Sequence, residues 1–137
     1  MSVNRDANGF VVLDRWACLE RLAQHRVAAV AITDHALPVV LPALYMLSGG
    51  SILIGAAGSG ILGRRMPDSV VSMCVHDLDD DLLNGWTVTV TGLAELVTSL
   101  ADLVAVSELR RWGSAEASQV VVRVSTEHIS GRLISTT

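Results

Sequence analysis

Six residues lie between Gly60 and Pro67, and that short span constrains the fold of this 137-residue chain more than any other stretch. Residues 58 to 63, GSGILG, read as Gly-x-Gly-x-x-Gly. Asp77, Asp79, Asp80 and Asp81 stand about 20 positions further on, where a dinucleotide-binding fingerprint wants its acidic residue. Such a fingerprint also needs a full crossover helix leading back to a parallel strand, and a crossover takes a dozen or more residues. Pro67-Asp68 ends any helix opened at Gly60 long before that. The nicotinamide-dinucleotide reading fails on geometry. A P-loop fails on chemistry, because the chain contains no lysine.

The periodicity around the loop predicts strands joined by short turns. Asp14 is a good N-cap for a helix over Arg15 to His25, with Trp16, Leu19, Leu22 and Ala23 as its apolar stripe. Strands follow at Val27–Thr33, at Pro38–Leu47 and, after the Ser48-Gly49-Gly50 turn, at Ser51–Ala57. Pro42 lies inside the second of these. It removes a ladder donor, which marks an edge, a bulge or a bend. Beyond the glycine loop, Ile61–Met66 is a short helix and Val70–His76 a fourth strand. The acidic DLDDD segment is a loop leading to Trp86–Thr91, where Trp86, Val88 and Val90 alternate with threonines. A helix over Ser99–Trp112 and a strand at Val120–Val124 precede the tail HISGRLI. This order lacks the βαβ rhythm of a parallel sheet. It predicts a mainly β domain with flanking helices, an antiparallel meander closed as a small barrel. Residues 1–137 form one domain, with 1–12 as a loose N-terminal arm.

Composition narrows the partners. All ten basic residues are arginines, so an anion here must be held by Arg, backbone N–H groups or hydroxyls. The net charge of -4, with no basic cluster, argues against nucleic acid. Cys18 and Cys74 are too few for a disulfide framework and have no CxxC spacing, so they read as buried, inert thiols. The four histidines lack metal spacing, and no metal site is expected. The opening residues lack the apolar run of a secretory signal. The uncharged stretch from Ala36 to Gly63 is interrupted by Pro38, Pro42 and Ser48-Gly49-Gly50, and its pieces are too short for a membrane helix. A soluble cytoplasmic protein is expected.

Two readings of the glycine loop remain open. It is a flexible strand-to-helix connection, or it is a cradle for one phosphate. The second uses the Ser59 hydroxyl, successive amides opening the short helix, and Arg64 and Arg65. Tyr45, the sole tyrosine, reads either as a substrate contact or as a partly buried strand residue. Trp86 reads as barrel packing with a possible ligand contact.

Five segments carry a resemblance: PALY at 42–45, GAAGSGILG at 55–63, VVSMCVHDLD at 70–79, NGWTVTVTGLAELV at 84–97 and HISGR at 128–132. In order and spacing the chain resembles the small, single-domain pyridoxamine 5'-phosphate oxidase-like proteins, the flavin-binding split-barrel family. The resemblance implies a homodimer of antiparallel split barrels with two FMN sites at the interface. It implies that backbone at Pro42, Ala43, Leu44 and Tyr45 runs along the isoalloxazine ring. The loop at Ala57, Gly58, Ser59 and Gly60, with Arg64 or Arg65, would receive the phosphate. Trp86 and Trp112 would lie near the ring or interface, and Arg132 would reach a phosphate or the dimer partner. Relatives often carry a lysine where this chain has Gly60. The implied function is an FMN-dependent oxidoreductase acting on a small organic molecule. The alternatives are F420 in the same groove, or a non-catalytic dimer that has lost its cofactor or stores flavin or haem.

Overall fold

Alternation along the strands sets which side of each faces the core. In β2 (Val27–Asp34) Ala28, Val30 and Ile32 are buried, while Val27 and Thr33 are exposed. The computed structural model describes residues 3–107 and 119–135. Its elements are β1 (Val11–Leu13), α1 (Arg15–Leu22), β2, β3 (Leu37–Ser48), β4 (Ser51–Ala57), α2 (Ile61–Arg65), β5 (Val70–Asp79), β6 (Asn84–Leu96), α3 (Leu100–Ser107), β7 (Gln119–Ser125) and β8 (Ile129–Ile134).

All pairings are antiparallel, in the order β1-β8-β6-β5-β2-β3-β4-β7, and β7 returns to β6. Six strands therefore close a ring, with β8 and β1 attached outside it. The second edge of β6 is divided. Gly85–Val90 pairs with β8 and Ala94–Leu96 with β7. Between them the Thr91 amide donates to the His128 carbonyl at 3.0 Å. This matches the expected split antiparallel barrel. Inside sit Val30, Ile52, Ile54, Met73, Val88, Val90, Val122 and Val124, with Leu62 of α2 and its C-cap Met66 in the same cluster.

Several local expectations need correction. Asp14 does cap α1, accepting from the Ala17 amide at 2.8 Å. The helix stops at Leu22 rather than His25, because the chain must turn into β2 and the Tyr45 hydroxyl takes the Leu22 carbonyl at 2.7 Å. Its buried face is Cys18 and Leu22, whereas Trp16 is 75% exposed. Burial pushes the Cys18 thiol above its ordinary value, as suits an inert cysteine. The DLDDD segment is mostly strand. Asp79 ends β5 and its carboxylate accepts the amides of Asp81 and Leu82, at 2.9 and 2.8 Å, to build the turn into β6. The tail is strand β8, paired with both β6 and β1. The helix expected over Ser99–Trp112 is present as α3 to Ser107, and its remainder lies outside the described residues.

The arm is not loose from Arg5 onward. Arg5 bridges to Val11, and the Asp6 carboxylate accepts from the amides of Asn8 and Phe10 and from Arg132 Nε, the last at 2.7 Å. Desolvation alone would raise the Asp6 pKa. The hydrogen bonds from Arg132, Phe10 and Asn8 outweigh it and hold the carboxyl below its ordinary 3.8. A depressed carboxylate stabilises the fold above its unfolded value and loses that contribution as pH falls through the folded one. The arm is thus expected to stay docked at pH 5 and release only in stronger acid. Exchange of the Val12 amide, which donates to the Asn4 carbonyl at 2.8 Å, reports it. Asp6→Asn should speed that exchange already at neutral pH; unchanged exchange would rule the ion pair out as the anchor.

Candidate functional site

Small side chains open a groove on the outer face of the sheet. The registers Ala29↔Pro42 and Ala29↔Cys74 place β3, β2 and β5 side by side. With Ala29 at the centre, little side chain fills the space. A groove of about 480 Å³ results, within the usual range for a ligand site. Val27, Ala28, Ala29, Val40, Leu41 and Pro42 give it an apolar lining. Its other lining residues are His25, Arg26, Cys74 and His76, and among the described residues no carboxylate lines it.

One end of the groove is braced by an aromatic contact. His25 meets the Trp86 ring edge-on, with centroids 5.2 Å apart and planes at 69°. The Arg21 guanidinium lies 5.8 Å from the same indole, and Arg21 also donates to the Ala17 carbonyl at 3.2 Å. Trp86 is half-buried and packs against the core, so it acts on the groove through His25.

The glycine loop lies on the far side of β3 from β2. Pairing of β3 with β4 runs only from Leu44↔Gly55 to Ser48↔Ser51, whereas β2 pairs with β3 from Leu37 to Leu44. Before Leu44, one edge of β3 therefore has no strand neighbour among the described residues, and Pro42 sits there without costing a second ladder. β4 ends at Ala57 and the chain turns through Gly58–Gly60, where the Gly60 amide donates to the Ala57 carbonyl at 3.0 Å. With strands about 4.8 Å apart, the groove spans about 10 Å from β5 to β3, and the loop follows on the next flank.

The two arginines after the loop differ. Arg65 Nε donates to Asp34 Oδ1 at 2.8 Å, and its Nη2 lies 3.3 Å from His35 Nε2. It is thereby tied to the β2–β3 turn, where His35 and Ala36 have φ of 51° and 66°. Arg64 is exposed and folds back onto its own helix, its Nε donating to the Gly60 carbonyl at 3.3 Å. Ser59 is exposed beside it.

Of the four residues expected along a ring, only Pro42 lines the groove; its β3 neighbours there are Val40 and Leu41. Ala43 and Tyr45 are buried, and Leu44 is partly so. Tyr45 is a core residue. Burial holds its phenol well above the ordinary value, and its hydroxyl is spent on Leu22. Arg132 is engaged by Asp6 of its own chain, and Trp112 lies outside the described residues. Sequence reasoning missed His25, Arg26, Cys74 and His76. Alternation could have turned Val27 and Ala29 outward, but only strand pairing brings His76 to them.

Residues 14–133 match the family model described as pyridoxamine 5'-phosphate oxidase. No curated protein sequence matches the chain significantly. A solved FAD-binding protein from Mycobacterium smegmatis is 22% identical, with 90% of this chain and 98% of that one covered and a TM-score of 0.73. An FAD-binding protein from Mesorhizobium loti is 25% identical, with 93% and 99% covered and a TM-score of 0.73. An FAD and haem binding protein from Mycobacterium smegmatis is 15% identical, with 90% and 72% covered and a TM-score of 0.71.

Proposed function

Because the chain belongs to the pyridoxamine 5'-phosphate oxidase family, we propose that it binds a flavin nucleotide and acts as an oxidoreductase on a small organic molecule. The observation that carries this is the adjacency of an apolar groove to the glycine loop across the unpaired edge of β3. A flat ring fits the face formed by Val27, Ala29, Val40 and Pro42, and a phosphate fits the loop beyond. The FAD-binding solved relatives support a flavin. FMN and FAD share the ring and the first phosphate, and FMN remains the working choice.

In this reading the amides of Gly58 and Ser59, the Ser59 hydroxyl and Arg64 receive the phosphate, while the Gly60 amide closes the turn onto the Ala57 carbonyl. Arg65 instead keeps α2 against the β2–β3 turn through Asp34. A bound flavin would supply the hydride or electron transfer, and the protein would bind, orient and exclude water. Val27 at 44% and Val40 at 64% exposure leave the groove's apolar rim open to solvent. A second copy of the chain closing over it completes the proposal as a homodimer.

The test is the visible spectrum of the purified protein, then titration with FMN, FAD and F420. Flavin absorbance or saturable FMN binding is expected. A Soret band, preference for F420, or a colourless protein that takes none of them would each replace the reading. Arg64→Ala should weaken FMN binding about 5-fold, an exposed charge-assisted contact being worth about 1 kcal/mol. Arg65→Ala should change affinity far less. Equal losses in both variants would return the phosphate role to the pair.

A further inference from the structure

Among the described residues, Arg26 is the one formally charged side chain lining the groove, with His25 and His76 beside it and neither Asp nor Glu, in a chain of net charge -4. Arg26 also stands apart from the other described arginines. Each of those donates from its side chain to an acceptor within the chain. Among the described residues, the Arg26 guanidinium has no such partner, although its backbone is fixed by the Tyr45 amide donating to its carbonyl at 2.9 Å. A rigidly based, uncommitted guanidinium beside an apolar face is suited to a flat molecule with an anionic group.

The position separates this charge from the loop. Arg26 immediately precedes β2, whereas Arg64 and Arg65 close α2, beside the opposite end of β2 at Asp34. Two anion-binding points flanking one groove call for two anionic groups, or for two ligands. We infer that the Arg26 end of the groove takes an aromatic ligand whose carboxylate or phosphate pairs with Arg26, between His25 and His76, and that this ligand, lying against the solvent-facing side of a bound flavin ring, is the acceptor in the oxidoreductase reading. The acceptor role rests on that reading; the anion selectivity does not.

The test uses 8-anilinonaphthalene-1-sulfonate and its neutral counterpart N-phenyl-1-naphthylamine, with fluorescence titration of the purified protein, with and without saturating FMN. The sulfonate is expected to bind at least about 5-fold tighter than the neutral amine, a charge-assisted bond supplying the difference. Arg26→Gln should remove that preference and leave the neutral probe unaffected. Ala29→Trp, which fills the groove, should abolish binding of both probes while far-UV circular dichroism stays native. Equal affinities, an unchanged Arg26→Gln titration, binding that survives Ala29→Trp, or no probe binding in either condition would overturn the inference. If FMN neither binds nor alters the titration while the Arg26 dependence holds, the flavin reading alone falls.

Discussion

Gly63→Ala is expected to destabilise the protein by about 3 kcal/mol, in the upper range for a single overpacking substitution. A Cβ at Gly63 would lie 2.1 Å from the Ala57 carbonyl oxygen and 2.9 Å from both the Ala57 carbonyl carbon and the Gly58 Cα. All three are backbone atoms, so no side chain can rotate away. Relief requires moving α2 off the end of β4, which withdraws Leu62 and Met66 from the barrel core and distorts the loop. Urea unfolding should show a lower midpoint with an unchanged slope. FMN affinity should fall with it if the loop is the phosphate site. A wild-type midpoint would mean that the close approach of helix and loop is not held in solution.

The second large effect is at Tyr45. Tyr45→Ala should cost about 4 kcal/mol, because a 1% exposed aromatic side chain leaves a cavity in the barrel. Tyr45→Phe keeps the ring and removes only the hydroxyl, leaving the Leu22 carbonyl without that donor, for about 1–2 kcal/mol. The Phe variant also separates structure from function. If Tyr45 is a core residue that fastens α1 to β3, Tyr45→Phe lowers stability and leaves ligand affinity as it was. A matched loss of affinity with wild-type stability would restore the tyrosine as a ligand contact.

Much of the fold was legible because burial leaves a period. Val88 and Val90 are both fully buried, as the alternation in WTVTVT requires, and Asp14 caps its helix as an Asp before an apolar stripe should. Errors fell where tertiary demand overrode a local pattern. Trp16 looks like a core anchor by spacing and is exposed, while the smaller Cys18 is buried. HISGRLI is too short and mixed to announce itself, and becomes a strand because β6 offers an edge. The DLDDD run reads as a loop by charge, yet Asp77 and Asp79 extend a hairpin through backbone pairing with Trp86 and Asn84.

The candidate site divides along the same line. The spacing from Gly60 to Pro67, the absent lysine and the strand-turn-strand order determined, without coordinates, that no Rossmann crossover exists and that the sheet is antiparallel. Those are local constraints: chain length between breakers and residue chemistry. Which arginine is free was decided only in three dimensions. Arg64, Arg65 and Arg132 look alike in sequence, but Arg65 meets Asp34 and Arg132 meets Asp6, across 31 and 126 residues. Arg26 draws no attention in sequence, and among the described residues its side chain has no partner. Long-range pairing sets such differences, and the separation of partners along the chain leaves no period to read.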